Sequence, residues 1–223
     1  MKNILTFILF LVSSSVLIAQ TFDTNVSNVN AQFHKVLKDV AYGRVDSNTE
    51  IDGNKYLYKK PQEAVINLND GYKPIRIKTN YNIIKETFEV QSEDGILNLR
   101  PDKVNSISFS DANFVTYQGS FYKLITKTKN FSIIKSIVLI AVEPDYQVGI
   151  QDKPNLRYKN ANKLYIQIGA KKTLIKVNKK YISQLFDDSK QGEIKKFFKS
   201  KKISIRDDAD LKLLFDAFQD NLK

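Results

Sequence analysis

The sequence predicts an α+β fold. An antiparallel β-sheet, half-barrel or sandwich-like, is followed by a C-terminal cluster of short helices and preceded by one N-terminal helix. Three observations predict it. Between Tyr56 and Val177 the apolar residues recur with period two, in short runs set off by turn residues. From Asn178 onward the period becomes helical. The helical period also appears once early, in "NAQFHKVLKDVAYG", where Phe33, Val36, Leu37 and Val40 share a face and Gly43 lies just past the end.

The chain has 223 residues, enough for one good core. Residues 1–19 read as a secretory signal peptide. Lys2 supplies the positive start, Ile4 to Ile18 the apolar stretch, and Ala19 a small residue for cleavage. That stretch is short for a bilayer span, which needs roughly 20 residues, so no span is expected after signal removal. The chain is expected to be exported, to the periplasm, the outside or the cell surface. Without any cysteine it is not a Cys-anchored lipoprotein, and thiol nucleophiles and thiolate metal sites are excluded.

Residues 20–53 form the N-terminal helix and a polar linker, "RVDSNTEIDGN". Residues 54–177 form the β body, with roughly eight to ten strands expected from the hairpin spacing. "AVINLNDGYKPIRI" is a strand, an Asp70-Gly71 turn and a second strand; "TFEVQSEDGILNLR" repeats the device with Asp94-Gly95. Further strands are read at "KVNSISFS", "NFVTYQ" and "SFYKLITKT". In "FSIIKSIVLIAV" the apolar run Ile137 to Val142 predicts a strand buried on both faces. A short edge strand follows within "EPDYQVGIQDKPNLRYKN", and "KLYIQIG" and "KTLIKV" make a last hairpin. Residues 75–90 read as two scaffold strands, with Tyr81-Asn82 at their junction.

Residues 178–223 hold three helices, which must pack on each other or on the sheet because each has only a narrow apolar stripe. Asn178 is a cap for the first. Ile194, Phe197 and Phe198 mark the second. Asp207 caps the third, which carries Leu211, Leu214, Phe215 and Phe218.

The stretch "YLYKKPQEAVINLNDG", then "IRIKTNYN", a Phe-Glu-Val strand, "ANFVTY" and "LFDDSKQGEIKKFFKSKKISIRDDADLKLLFDAF" resembles, in that order, a family of uncharacterised exported bacterial proteins. Their β-rich body is followed by a Lys-rich helical tail. The resemblance covers about Gly53 to Leu222. It implies export and the two-part layout, and carries no catalytic residue over.

Charge supplies the main functional clue. The net charge is +11, and the segment from Lys153 to Arg206 holds 16 Lys or Arg against Asp187, Asp188 and Glu193. The candidate anion-binding residues are Lys195, Lys196, Lys199, Lys201 and Lys202, which surround Phe197 and Phe198 on the second C-terminal helix. The partners this suggests are an envelope protein or an anionic glycolipid or polysaccharide. Thirty lysines against five arginines do not favour nucleic acid, since phosphate recognition leans on Arg forks. The plain alternative is a solvated basic face.

Catalytic signals are sparse. His34 is the only histidine and lies outside the β body. Asp207, Asp208 and Asp210 offer carboxylates for a cation, but in the first turn of a helix they serve its cap and dipole. Glu86, Glu89, Glu93 and Asp94 offer carboxylates for glycoside hydrolysis, although alternation with Phe88 and Val90 places Glu89 toward solvent. Tyr56 and Tyr58 share a face, as do Phe121 and Lys123; exposed, such pairs stack on sugars or bases, and buried they are core. No phosphate loop or nucleophile motif occurs, and no metal or cofactor is expected. The sequence therefore points to a non-catalytic envelope or secreted interaction or structural protein. The first alternative is a lipid or acyl-chain carrier with an apolar groove lined by Ile133 to Val142; the second is a carboxylate hydrolase.

Overall fold

The computed structural model describes residues 36–37, 41–42, 51–69, 71–93, 95–145, 147 and 154–223. The signal segment, His34, most of the N-terminal helix, the linker up to residue 50, Asp70 and Asp94 lie outside the described residues. Of the N-terminal helix, Val36 and Leu37 are helical, and Leu37 is buried in the main core at 1% exposure. The chain is already extended at β1 (Ala41–Tyr42), before the end that Gly43 marks in the sequence.

Among the described residues the β body contains β2 (Gln62–Leu68), β3 (Ile75–Asn82), β4 (Thr87–Ser92), β5 (Gly95–Leu99), β6 (Val104–Ser108), β7 (Asn113–Tyr117), β8 (Ser120–Lys127) and β9 (Ser132–Ser136). It continues with β10 (Leu139–Val142), β11 (Arg157–Asn160), β12 (Lys163–Ile168) and β13 (Lys171–Ile175). Eleven of the thirteen strands form one sheet in the order β1-β5-β4-β3-β2-β6-β7-β8-β9-β12-β13. All its named strand pairs are antiparallel.

The connections refine the sequence reading. Six residues separate β2 from β3, more than a tight two-residue turn would use; Asp70 of the expected Asp70-Gly71 turn lies outside the described residues. β4 ends at Ser92 and Gly95 opens β5 directly opposite it, so the hairpin turns tightly; Asp94 lies outside the described residues. The apolar run Ile137 to Val142 is not one doubly buried strand. β9 ends at Ser136, and β10 leaves the sheet to pair with β11 in a separate ribbon, exposing Ile140 and Ala141. Asp52, from the predicted linker, bridges to Arg157 on that ribbon. The adjacent Gly53, at φ +122°, lets the Tyr158 ring approach; an added Cβ would lie 3.3 Å from Tyr158 Cδ2.

The sheet is rolled. β5 and β6 are four strand spacings apart in the ladder, about 19 Å if flat. Yet Leu99 and Val104 are joined through a single 3-10 turn at Pro101–Lys103. Five residues reach at most about 18 Å, and less with that turn among them. Ring contacts give the same answer. Phe88 on β4 meets Phe121 on β8 at 5.0 Å between centroids, edge to face, although β3, β2, β6 and β7 intervene in the strand order. Tyr81, Phe109 and Phe114 complete the aromatic core.

Three helices cover the other half of the sheet: α1 (Lys179–Gln184), α2 (Gln191–Ser200) and α3 (Asp208–Ala217). Asn178 caps α1, accepting hydrogen bonds from the backbone N–H of Lys180 and Tyr181. Asp207 caps α3 in the same way through Ala209 and Asp210. Ile182, Phe186, Ile194, Phe198, Leu211, Leu214 and Phe215 pack with Ile125, Ile133, Leu164, Ile166 and Ile175 into a second core.

The two cores meet at a charged seam. On β8, Phe121 belongs to the aromatic core and Ile125 to the helical one, with Lys123 between them. Along β9 and the residue that follows it the order is mirrored: Ile133 lies in the helical core, Ile137 in the aromatic one, and Lys135 between. Lys123 and Lys135 are directly opposite in register. Asp208, from the first turn of α3, bonds both ammonium groups, reaching Lys123 at 2.8 Å. Burial, and then the Lys123 charge, hold the Lys135 ammonium below the usual lysine value, with the Asp207 carboxylate opposing.

Candidate functional site

Alternation places Asn80, Asn82, Thr87 and Glu89 on the outer face of β3 and β4, opposite the aromatic core. Glu89 does not face solvent as the alternation implied; it is 8% exposed. The reason lies in Lys55 to Tyr58, which pairs with the end of β3 beyond the reach of β2, through Leu57 N–H to Tyr81 O and Ile83 N–H to Lys55 O. Tyr56, bridged to Asn82, leans across to Glu89. The carboxylate accepts from the Tyr56 hydroxyl at 2.8 Å, Asn82 Nδ2 at 2.9 Å and Lys85 Nζ at 3.1 Å.

Burial alone would raise the Glu89 pKa. The three donors, with the Lys85 charge, outweigh it and hold the carboxyl below the usual glutamate range. Tyr56 moves the other way, pushed up to about 12 by burial and then by its hydrogen bond to Glu89. An ionised, fully bonded carboxylate holds no proton to give, so this cluster is a poor acid–base pair. Glu86 and Glu93 are exposed, and the groups bonded to Glu89 are not carboxylates.

A depressed folded pKa contributes stability that is present above the unfolded value and lost as pH falls through the folded one. The wild type should therefore weaken as pH drops below about 4.3. Glu89→Gln should lose about 2 kcal/mol at neutral pH and lack that part of the acid slope. Urea unfolding at a series of pH values reads both effects, and an unchanged acid slope in the variant would refute the assignment.

Other candidate residues have structural duties. Tyr58 donates to Asp111 at 2.7 Å and packs its ring on Phe109 at 5.1 Å. Phe121 is core, and Lys123 belongs to the seam. Asp207 is the cap, Asp208 binds the two seam lysines, and Asp210 accepts from Ser204 N–H at 2.8 Å. Among the described residues no group of three or more His, Cys, Asp or Glu could hold a metal ion.

The lysine cluster divides. Lys195 and Lys199, one turn apart on α2, line a cleft of about 630 Å³ between α1 and α2, together with Lys179 and Lys180. Lys196, Lys201 and Lys202 are exposed and do not line it. Lys202 instead takes φ +52°, the left-handed turn that ends α2. Ile194 and Phe198 are buried beneath the helix, and Phe197 meets Phe218 edge to face at 5.4 Å.

Gln191, the first residue of α2, fixes the cleft by donating to the carbonyls of Ser183 and Phe186 at the end of α1. Phe198 lies at its base, with Lys179 Nζ 5.3 Å from the ring centroid. Lys179 and Lys180 escaped the sequence reading because they sit on a different helix, eleven or more positions before Gln191. The one available signal was two lysines in a first turn, where the helix dipole favours acids. A second basic cleft, near Lys159, Lys163 and Arg206, includes Lys135, which is already paired with Asp208.

Comparison with family models, with curated proteins and with solved structures returns no match. The functional reading rests on the site's own chemistry.

Proposed function

We propose that the protein is an exported, non-catalytic binding module of the bacterial envelope that takes an anionic polysaccharide or glycolipid head group on its helical face. The observation that carries this is the α1–α2 cleft. Lys179, Lys180, Lys195 and Lys199 converge on it, and among the described residues none of the four is within ion-pair distance of an acid. Like charges held together without acids destabilise the free protein, and an anion would relieve them. The signal-like segment and the motif order are what support export and the resemblance to the exported family.

The alternatives have less support. An acyl-chain carrier needs empty apolar space, and Phe88, Phe109, Phe114, Phe121 and Tyr81 pack the interior of the roll ring against ring. A hydrolase needs a carboxylate pair with one member protonated, and Glu89 is held ionised by three donors.

The test is titration with polygalacturonate, with neutral dextran as control. Binding should weaken as salt rises. It should fall roughly tenfold or more when Lys195→Ala and Lys199→Ala are combined, and stay near wild type when Lys201→Ala and Lys202→Ala are combined. Equal losses from both pairs would reduce the effect to net charge and sink the cleft as the site.

A further inference from the structure

We infer that a second cleft, at the mouth of the rolled sheet, is a binding site for a neutral saccharide whose hydroxyl meets the buried side-chain carbonyl of Asn98. This goes beyond the anion site and uses different elements. Three connections build it: the β3–β4 turn with Lys85, Glu86 and Thr87; the end of β5 and the link to β6 with Asn98 and Pro101; and the β7–β8 turn with Gly119 and Ser120. The roll brings them together, because in the flat strand order β4 and β8 are far apart. The cleft holds about 570 Å³, within the usual range of small-molecule sites, about 300–1,000 Å³.

Asn98 makes the cleft more than a surface hollow. It is 4% exposed and lies opposite Glu89 in the ladder, yet its Oδ1 has no hydrogen-bond partner. A buried acceptor without a partner is destabilising and uncommon. The neighbouring Thr87 hydroxyl cannot supply the proton, because it donates to Leu99 O at 2.9 Å.

Oδ1 is closed to solvent where it lies, and Asn98 lines the cleft, so the missing partner is a donor that enters from the cleft as the Asn98 amide turns toward it. A hydroxyl fits best, since it both donates and accepts and so satisfies the amide in either orientation. The lining charges select a neutral ligand. Lys85 is matched by Glu89 at 3.1 Å, and Glu86, on the rim, is a single exposed acid. Ser120 adds a second hydroxyl partner, and Pro101 an apolar surface for a sugar ring.

The experiment is saturation-transfer NMR on the protein with glucose, N-acetylglucosamine and maltose at millimolar concentration, beside thermal unfolding of each variant. At least one sugar should give a saturable signal. Asn98→Leu should weaken it about tenfold, the loss of one hydrogen bond in a closed site, while Tm holds or rises because the orphaned acceptor is gone. If Asn98→Leu fails to fold, Ser120→Phe, which fills the cleft from its rim, should abolish the signal with Tm unchanged. No saturable signal from any of the three sugars overturns the inference. So does undiminished binding in a folded Asn98→Leu or Ser120→Phe protein. Failure here leaves the polygalacturonate result untouched, because the variants in that test lie on α2.

Discussion

Phe88→Ala is expected to cost about 3–5 kcal/mol of unfolding free energy, about a fifth or more of what a domain of this kind usually has. Phe88 is 0% exposed and sits at the centre of the roll. Its ring meets Tyr81 at 4.8 Å, Phe114 at 4.9 Å, Phe121 at 5.0 Å and Phe109 at 5.9 Å. Truncation removes the transfer energy of the ring and leaves a cavity whose walls belong to several strands. Those walls cannot close without unrolling the sheet, so the cost should sit at the upper end of its class. Urea unfolding measures it directly. The half-buried Phe197, against Phe218, is the internal comparison and should cost clearly less when truncated. Equal losses at the two positions would mean that the sheet is not closed around Phe88.

Asp208→Ala should be the second-largest effect, about 2–4 kcal/mol, somewhat below the range for breaking a fully buried pair because all three side chains keep some contact with water. The variant leaves Lys123 and Lys135 opposite one another on adjacent strands with no acid between them. Desolvation already disfavours the charged form of Lys135. Replacing the whole set, with Lys123→Met, Lys135→Met and Asp208→Leu together, should recover most of the loss, since it removes every charge whose burial needs compensation. Urea unfolding of the single and triple variants decides the point. A triple variant no better than Asp208→Ala would show that the carboxylate matters for the α3 terminus and not for the lysines.

Much of this architecture was legible in the sequence because period is a local property. The alternations in "KVNSISFS", "NFVTYQ" and "SFYKLITKT" became β6, β7 and β8, and Asn178 and Asp207 cap the helices that their positions announced. The roll was not legible. Nothing near Phe88 or Phe121 in sequence says that their rings meet; that depends on the accumulated curvature of the strands between them. Glu89 was misplaced for the same kind of reason. Alternation assigns its face correctly, but the burial of that face comes from Tyr56, 33 positions away. The seam left a trace, an inward-facing Lys on each of two paired strands, and only the register shows them to be one feature. Lys195 and Lys199 could be found from one helix; Lys179 and Lys180 needed the packing of two.

The seam also bears on how the chain can be divided. Phe121 and Ile125 are neighbours on a single strand, yet each completes a different interior. A fragment that stops before β8 leaves the aromatic roll without one of its walls; a fragment that begins at β8 carries an exposed half of that wall. The molecule has two interiors and no place to cut between them. Both ends carry core residues, Leu37 in one interior and Phe215 and Phe218 in the other, so shortened versions are best made at the β10–β11 ribbon, and any insertion or fusion junction belongs in the loops away from β8 and β9.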